Sequence, residues 1–265
     1  MAYEYTTQGF TVNDSGRRIV VDPITRIEGH LRCEVNINDE NVITNAVSSG
    51  TMFRGIEIIV KDRDPRDAWA FVERICGVCP VAHATASSMA LEDLCGLQVP
   101  HNGRIARNLM LAGNYLQSNI LHFYHLAGQD YFQGPETVPF IPRYPHPDLR
   151  LTPSQNALAV DEYIEALEVR QICHQLVAIF GGRMPHLQGV LTGGAQIPDK
   201  ETILEYAARM KKVRAFVEDR YLPLVYTIAG QYPELFDMAH GYRNALCVGV
   251  FPLAEPKKLY YSSGV

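Results

Sequence analysis

Residues 74–83, with the sequence Arg-Ile-Cys-Gly-Val-Cys-Pro-Val-Ala-His, decide the fold because they separate two helical segments. The first segment starts at residues 64–67, where a proline and two acidic residues suit the first turn of a helix, and the second ends at Gly96. The pattern is mainly helical from the first segment onward and extended before it. We therefore predict an α+β, mainly α fold, with a small β-rich segment at residues 1–63 and a bundle of long helices at residues 64–265.

The N-terminal segment carries the alternation that is typical of strands. Apolar and polar residues alternate over residues 31–37, and an Asn-Asp-Glu-Asn turn separates this run from a second one at residues 42–49. A shorter run at residues 18–22 precedes them, so we predict an antiparallel hairpin or meander. Residues 1–16 are polar, and we expect them to be irregular.

Three long helices are expected in the second segment. The first lies within residues 104–128, where apolar residues recur at spacings of three and four and predict one buried face. This face consists of Ile105, Leu109, Ala112, Leu116, Ile120 and Phe123. The second helix runs from Ser154, whose hydroxyl suits an N-cap, to Phe180, and the third starts near Asp199. Because no βαβ units are visible, a Rossmann-type parallel sheet is not expected.

Composition excludes several classes of protein. Among 265 residues, 24 are Lys or Arg and 29 are Asp or Glu, which gives a formal net charge of −5. A mildly acidic chain does not suit a nucleic-acid binder, which needs a dense positive field. No stretch is apolar over the roughly 18–20 residues of a membrane-spanning helix, and residues 1–13 do not resemble a secretion leader. Six cysteines are too few for a disulfide scaffold.

Cys76 and Cys79 are the only two cysteines that are close in sequence, and their C-x-x-C spacing suits one metal ion. Gly77 permits a tight turn, thiolates prefer zinc, copper(I), nickel or iron–sulfur clusters, and Arg74 favours ionised thiols. The leading interpretation is an asymmetric metal site completed from elsewhere. Three alternatives stay open: a structural zinc site that includes His83, a thioredoxin-like redox pair, and two reduced cysteines with a structural role.

A second motif, Arg-Ile-Glu-Gly-His at residues 26–30, places a carboxylate and an imidazole in a glycine-containing turn. Glu28 and His30 together could relay protons, because both side chains bind and release them. An isolated glutamate in a turn is more often simply solvated, so this motif alone predicts little.

Together these motifs resemble the large subunit of nickel–iron hydrogenases, the enzymes that oxidise or evolve dihydrogen. The family's R-x-C-G-x-C-x-x-x-H run is matched without a gap at residues 74–83, and its R-I-E-G-H run at residues 26–30. Four further segments match in chain order: residues 49–57, 64–67, 122–124 and 181–186. The resemblance covers residues 17–254. Residues 79–87 and 121–126 look most like the periplasmic uptake branch, including its selenium-containing members.

The resemblance implies a role for each residue of the two motifs. Cys76 would be a terminal thiolate ligand of nickel, and Cys79 would bridge nickel and iron. The iron would also carry carbon monoxide and cyanide ligands. His83 would form a hydrogen bond near the bridging sulfur. Glu28 would be the first proton acceptor beyond the nickel site, so Glu28 and His83 are the candidate catalytic residues.

Further expectations follow from the same resemblance. Glu57 would hold a magnesium ion, which prefers oxygen ligands, and His186 would face an iron–sulfur cluster of the small subunit. The reaction would be reversible heterolytic cleavage of dihydrogen. Electrons would leave through iron–sulfur clusters of the small subunit, because this chain lacks the cysteines for clusters of its own. Export would be directed by that partner, so we expect a periplasmic location, with any membrane association made through the partner.

Two departures from the family pattern affect these expectations. The family needs a second cysteine pair near its C-terminus, whereas Cys95, Cys173 and Cys247 stand alone and are expected to be buried as small apolar residues. We therefore expect an incomplete hydrogenase large-subunit fold, inactive alone, whose C-terminal remainder or second polypeptide supplies the other thiolates. Some relatives also place an aspartate just before the His-Phe-Tyr run, where Ser118 and Asn119 stand here.

Two other functions stay open from the sequence. A quinone-site subunit of a respiratory complex shares the hydrogenase fold without nickel, but such a subunit has no use for Cys76 and Cys79. A structural half-subunit would be inert alone and would only complete a complex. Co-purifying metal would distinguish this structural half-subunit from an enzyme.

Overall fold

The computed structural model describes residues 4–7, 10–13, 15–138, 140–142, 148–238, 244–255 and 258–264. The chain divides into two compact units, Met1–Gly55 and Ile56–Val265. Within the described residues, the first unit holds small antiparallel sheets and the second is mainly helical, which confirms the predicted fold class. The domain boundary predicted between residues 63 and 64 stays a prediction.

The N-terminal end of the chain forms a hairpin. Strand β1 (Glu4–Thr7) pairs antiparallel with strand β2 (Phe10–Asn13). The prediction that residues 1–16 are irregular was therefore wrong. These strands are rich in Thr, Tyr, Phe and Val, which favour strands, and that preference outweighs the polar character of the stretch.

The main sheet of the first unit is a meander. Its strands are β3 (Arg17–Val21), β4 (Leu31–Ile37) and β5 (Ile43–Gly50). The central strand β4 pairs antiparallel with both neighbours, so the predicted meander is confirmed. The loop between β3 and β4 carries Glu28, and it contains two residues with positive φ, Arg26 at 58° and Gly29 at 87°.

Short helical elements lead into the cysteine motif. They are α1 (Ile56–Val60), a 3₁₀ turn (Pro65–Asp67), α2 (Ala68–Val72) and a second 3₁₀ turn (Glu73–Ile75). Helix α3 (Pro80–Cys95) begins directly after Cys79 and ends at Gly96, whose φ of 65° is left-handed and favours glycine. The cysteine motif therefore lies between two helical segments, as the sequence predicted.

The two longest helices pack against each other in the second unit. They are α4 (His101–Ile120), which continues into a π-helical turn (Leu121–Ala127), and α5 (Pro153–Gly181). Gly113 lets the two helices approach closely, because a Cβ atom there would lie 3.1 Å from Val177 Cγ2. Helix α6 (Lys200–Phe216), a π-helical turn (Val217–Tyr221) and helix α7 (Leu222–Gln231) follow.

The buried face of α4 differs from the predicted one. Ile105, at the start of the predicted face, is 39% exposed, and Leu109, Ala112 and Leu116 are only half-buried. The residues that are fully buried instead include Ala106, Arg107, Met110, Gly113, Asn114 and Gln117. The face is thus rotated by about one residue. The prediction was right for Ile120, which is buried, and wrong for Ile105. Small and polar side chains occupy several core-facing positions, and a count of apolar residues does not detect them.

The start of α5 also differs from the prediction. Thr152, not Ser154, is the N-cap: its Oγ1 accepts a hydrogen bond from the Gln155 backbone N–H at 3.3 Å. The Gln155 side chain in turn accepts from the Thr152 backbone N–H at 2.9 Å, which completes a capping box. Helix α6 starts next to Asp199, as predicted, and the Asp199 side chain caps it by accepting from the Thr202 N–H at 2.8 Å.

Two small hairpins complete the second unit. Strand β6 (Val190–Leu191) pairs with β7 (Gly194–Ala195), and β8 (Val250–Pro252) pairs with β9 (Leu259–Tyr261). No helix in the part of the chain that the structure describes is long and apolar enough to cross a membrane.

Candidate metal centre

The centre is built around the start of helix α3. Cys79 is the N-cap residue of this 16-residue helix, and Pro80 occupies its first position. The N-terminus of a helix carries a partial positive charge from its unpaired N–H groups, which favours a negatively charged ligand. Cys79 is therefore held where a thiolate is stabilised.

The sulfur of Cys76 is surrounded by backbone donors. The N–H groups of Val78 and Cys79 both donate to Cys76 Sγ, each over 3.3 Å. Cys76 has an extended backbone, with φ −143° and ψ 135°, and the chain then folds back over its side chain. Two N–H donors directed at one sulfur stabilise negative charge there, as a metal-bound thiolate requires.

His83 lies one helical turn after Cys79 and faces its sulfur. The distance between Cys79 Sγ and His83 Nε2 is 3.6 Å, and the His83 backbone N–H donates to the Cys79 carbonyl oxygen at 3.4 Å. Burial lowers the pKa of His83, which favours the neutral imidazole at pH 7. In the tautomer with a proton on Nε2, the ring donates to the sulfur and keeps the thiolate oriented.

The donor set fits a soft metal that other ligands complete. Neither Cys76 nor Cys79 forms a disulfide within the described residues, and both are half-buried. In the described part of the chain, no three His, Cys, Asp or Glu side chains form a group that could hold a metal ion. A closed zinc site made of Cys76, Cys79 and His83 is therefore not formed. The motif also follows a 3₁₀ turn rather than a strand, which argues against a thioredoxin-like pair.

Glu73 is a buried acid beside the motif that the sequence reasoning missed. Its side chain is fully buried, and Oε1 has no hydrogen-bond partner among the described residues. Burial raises the pKa of Glu73 to about 7, against the opposing effect of Arg74 and Arg183. Arg74 Nη1 lies 3.3 Å from Glu73 Oε2 and also donates to the Ala70 carbonyl. Arg74, which was expected to act on the thiols, thus has partners in the preceding helical turns.

A second missed feature is a polar cluster on α4. Asn114 Nδ2 donates to the carbonyl oxygen of Val78, inside the cysteine motif, at 3.1 Å. The same nitrogen lies 3.1 Å from Ser118 Oγ and 3.3 Å from Gln117 Oε1. The only sequence signal was the departure at Ser118, which was interpreted as a lost charge and not as part of a buried cluster.

The remaining predicted residues belong to three different segments of the chain. Glu28 lies in the exposed loop between β3 and β4 of the first unit, and Glu57 is an exposed residue in the first turn of α1. His186 is half-buried after α5, with a positive φ of 59°, and its carbonyl oxygen accepts from Arg183 Nε at 2.6 Å. The roles assigned to these three residues stay predictions.

The isolated cysteines only partly match their prediction. Cys173 is fully buried, and burial raises the pKa of its thiol to about 12. Cys95 and Cys247 are exposed, so the prediction that they are buried was wrong. Cys95 occupies the last position of α3, on a face that leaves its side chain in solvent.

The sequence model of the nickel-dependent hydrogenase family matches residues 54–134 and 132–265. The chain belongs to the nickel-dependent hydrogenase family. A second model, described as HoxL-like, matches residues 18–49. The resemblance that the two motifs indicated is thus confirmed at the level of the family.

Individual relatives agree with this assignment. The chain is 50% identical over 256 residues to the periplasmic [NiFeSe] hydrogenase large subunit of Desulfomicrobium baculatum, covering 93% of this chain and 50% of the relative. It is 44% identical over 236 residues to the hydrogenase-1 large chain of Escherichia coli K12, covering 73% and 40%. A solved Ni-Fe-Se hydrogenase from D. vulgaris Hildenborough superposes with a TM-score of 0.88 at 57% identity, covering 94% and 52%. The chain spans about half the length of the curated relatives it matches.

Proposed function

We propose that this chain is part of the large subunit of a periplasmic hydrogenase that cleaves dihydrogen heterolytically and reversibly. The observation that carries the proposal is the cysteine motif at the start of α3, in a chain of this family. Two backbone N–H groups donate to the sulfur of Cys76, and the imidazole of His83 faces the sulfur of Cys79. The periplasmic location rests on the similarity to the periplasmic [NiFeSe] hydrogenase large subunit of Desulfomicrobium baculatum. A nickel–iron centre, with carbon monoxide and cyanide on the iron, supplies the site of cleavage when it is bound.

Cys76 and Cys79 would hold the centre on the side of α3. Cys76 would be the terminal ligand of nickel, and its two N–H donors would stabilise the thiolate in that role. Cys79 would bridge nickel and iron. His83 would donate from Nε2 to the Cys79 sulfur and so limit rotation of that side chain. The other thiolates, or a selenolate, would come from the C-terminal remainder of the large subunit.

Two acidic residues would serve the proton route. Glu28 would accept a proton on its carboxylate and pass it outward, since a carboxylate can bind and release protons. Glu57 would hold a magnesium ion through its carboxylate oxygens.

Electrons would pass to iron–sulfur clusters of a small-subunit partner, and His186 would face the nearest of these clusters.

Metal analysis combined with infrared spectroscopy tests the proposal. The complex purified from its native host should contain stoichiometric nickel and show bands of iron-bound carbon monoxide and cyanide. Cys76→Ser and Cys79→Ser should each lose the nickel and the bands. Cys95→Ser is the matched control, because Cys95 is the last residue of α3, the helix that begins after Cys79, and its side chain is exposed. This variant should keep the nickel and the infrared bands. A wild-type complex without nickel and without these bands would contradict the proposal.

The role of Glu28 needs a separate variant in the same complex. Glu28→Gln should keep nickel and the infrared bands while dihydrogen oxidation falls by about 10²-fold or more, the usual contribution of a proton-transfer group. Glu40→Gln, an exposed glutamate in a turn of the same unit, should leave the rate unchanged. Equal rates in these two variants would remove Glu28 from the proton route.

A further inference from the structure

We infer that Asn114 is a positioning residue for the metal-binding thiolates. Its side-chain amide holds and polarises the peptide group between Val78 and Cys79, and that peptide group donates to the sulfur of Cys76. The inference deepens the proposed function, on which it rests, because it assigns to a residue of α4 the control of a nickel ligand that it does not touch.

Two hydrogen bonds form a chain through one peptide group. Asn114 Nδ2 donates to the carbonyl oxygen of Val78 at 3.1 Å. The N–H of the same peptide group belongs to Cys79, and it donates to Cys76 Sγ at 3.3 Å. Hydrogen bonds in such a chain polarise one another, by about 10–30% per bond in condensed phases. A donor on the carbonyl therefore strengthens the bond that the N–H makes to the sulfur.

The orientation of the Asn114 amide is fixed by its surroundings. Asn114 is 3% exposed and Gln117 is fully buried. The backbone carbonyl oxygen of Val78 can only accept, so it requires a donor from Asn114. A reversed amide would direct oxygen toward this carbonyl, which is repulsive. The nitrogen must therefore face the cysteine motif.

Asn114 connects the cysteine motif to a helix that is distant from it in sequence. Asn114 and Val78 are 36 residues apart in sequence, and Asn114 follows Gly113, where α4 approaches α5 closely. Because α4 is tightly packed, the Asn114 amide stays in place, and a displacement of the cysteine motif would break the hydrogen bond. The bond thus fixes the peptide group on which the Cys76 sulfur depends, and hydrogen bonds to metal-bound sulfur tune the electronic properties of the metal.

The test uses the complete hydrogenase complex from its native host. Asn114→Leu keeps the branched shape of the side chain but removes the donor, and Asn114→Ala removes the same donor without adding apolar bulk. The control is Asn108→Ala, because Asn108 lies on the same helix and its Nδ2 also donates to a backbone carbonyl, that of Pro252, at 3.0 Å. Each variant is measured by infrared spectroscopy, by redox titration of nickel and by thermal unfolding.

Both Asn114 variants should shift the carbon monoxide band to lower wavenumber and lower the midpoint potential of nickel, because a less hydrogen-bonded Cys76 thiolate donates more charge. Asn108→Ala should change neither value. Unchanged bands and potential in either folded Asn114 variant would overturn the inference and leave Asn114 a structural residue, even if the unfolding temperature falls. If the wild-type complex lacks nickel and the bands, the proposed function fails and the inference fails with it.

Discussion

Replacing Glu92 by glutamine tests the buried ion pair that joins α3, α4 and the β6–β7 hairpin. Arg107 Nη1 donates to Glu92 Oε2 at 2.9 Å, and Arg107 Nη2 donates to Glu92 Oε1 at 2.5 Å. Both side chains are less than a tenth exposed. The pair extends into the hairpin, since Gly193 N–H donates to Glu92 Oε1 at 2.6 Å and Arg107 Nε donates to the Gly194 carbonyl at 2.9 Å.

The expected loss follows from the charge that is left behind. Removing one partner of a buried ion pair costs about 3–5 kcal/mol, because the remaining charge is buried without compensation. Glu92→Gln keeps the size of the side chain and one acceptor, and Arg107 keeps its bonds to backbone carbonyls of the hairpin. We therefore expect the lower end of the range, about 3 kcal/mol. Arg107→Met should cost about as much, and the double variant Glu92→Gln/Arg107→Met should cost clearly less than the sum, since it leaves no unpaired charge.

Amide hydrogen exchange of the intact protein, followed by mass spectrometry, measures this loss locally. A loss of about 3 kcal/mol should speed exchange in α3 and the β6–β7 hairpin by about 10²-fold. Glu205→Gln is the control, because Glu205 pairs with Arg209 within one exposed helix face and should cost less than about 1 kcal/mol. Two results would refute this expectation. One is equal amide exchange rates in α3 and the β6–β7 hairpin for Glu92→Gln and Glu205→Gln, and the other is a free-energy loss in the double variant that equals the sum of the two single losses.

Two further predictions concern α5. Thr152→Ala should lower the free energy of unfolding by about 1 kcal/mol in urea titrations, whereas Ser154→Ala should have little effect, because only Thr152 caps the helix. Equal losses of unfolding free energy in the two variants would contradict the capping box. Burial raises the pKa of Glu162, whose carboxylate accepts from Tyr124 Oη at 2.8 Å. The folded state thus holds this proton more tightly than the unfolded state, and the resulting stability is lost as pH rises through the folded pKa. Glu162→Gln should therefore gain stability relative to wild type as pH rises from the ordinary glutamate pKa of 4.5 through the raised folded pKa, and a pH-independent difference would refute the shift.

The sequence predicted those elements of the fold that depend on local pattern. Alternation located β4 and β5, and the glycine after Cys95 located the end of α3. The cap of α5 was also within reach, because Thr152 is followed by proline at the first helical position and by glutamine at the third, a capping-box pattern.

The candidate site was predictable to the extent that it is local. Cys76, Cys79 and His83 lie within eight residues, and helical geometry brings Cys79 and His83 together one turn apart. Glu73 and Asn114 were missed for different reasons. An acid before a basic residue suggests a surface ion pair, so the burial of Glu73 gives no sequence signal. Asn114 meets the motif only through tertiary packing across 36 residues.

The rotated face of α4 has a physical explanation that joins these observations. Arg107 and Asn114 lie two turns apart on this face. Arg107 donates to the backbone carbonyl of Gly194 in the hairpin, and Asn114 donates to that of Val78 in the cysteine motif. Backbone carbonyls away from water need a donor, and a helix that buried only apolar residues would leave them unpaired. The polar residues on α4 therefore contribute less hydrophobic stabilisation than apolar residues would, but their hydrogen bonds hold the hairpin and the cysteine motif in place. A metal centre needs its ligands held in this way, because a thiolate that moves cannot keep the geometry that its metal requires.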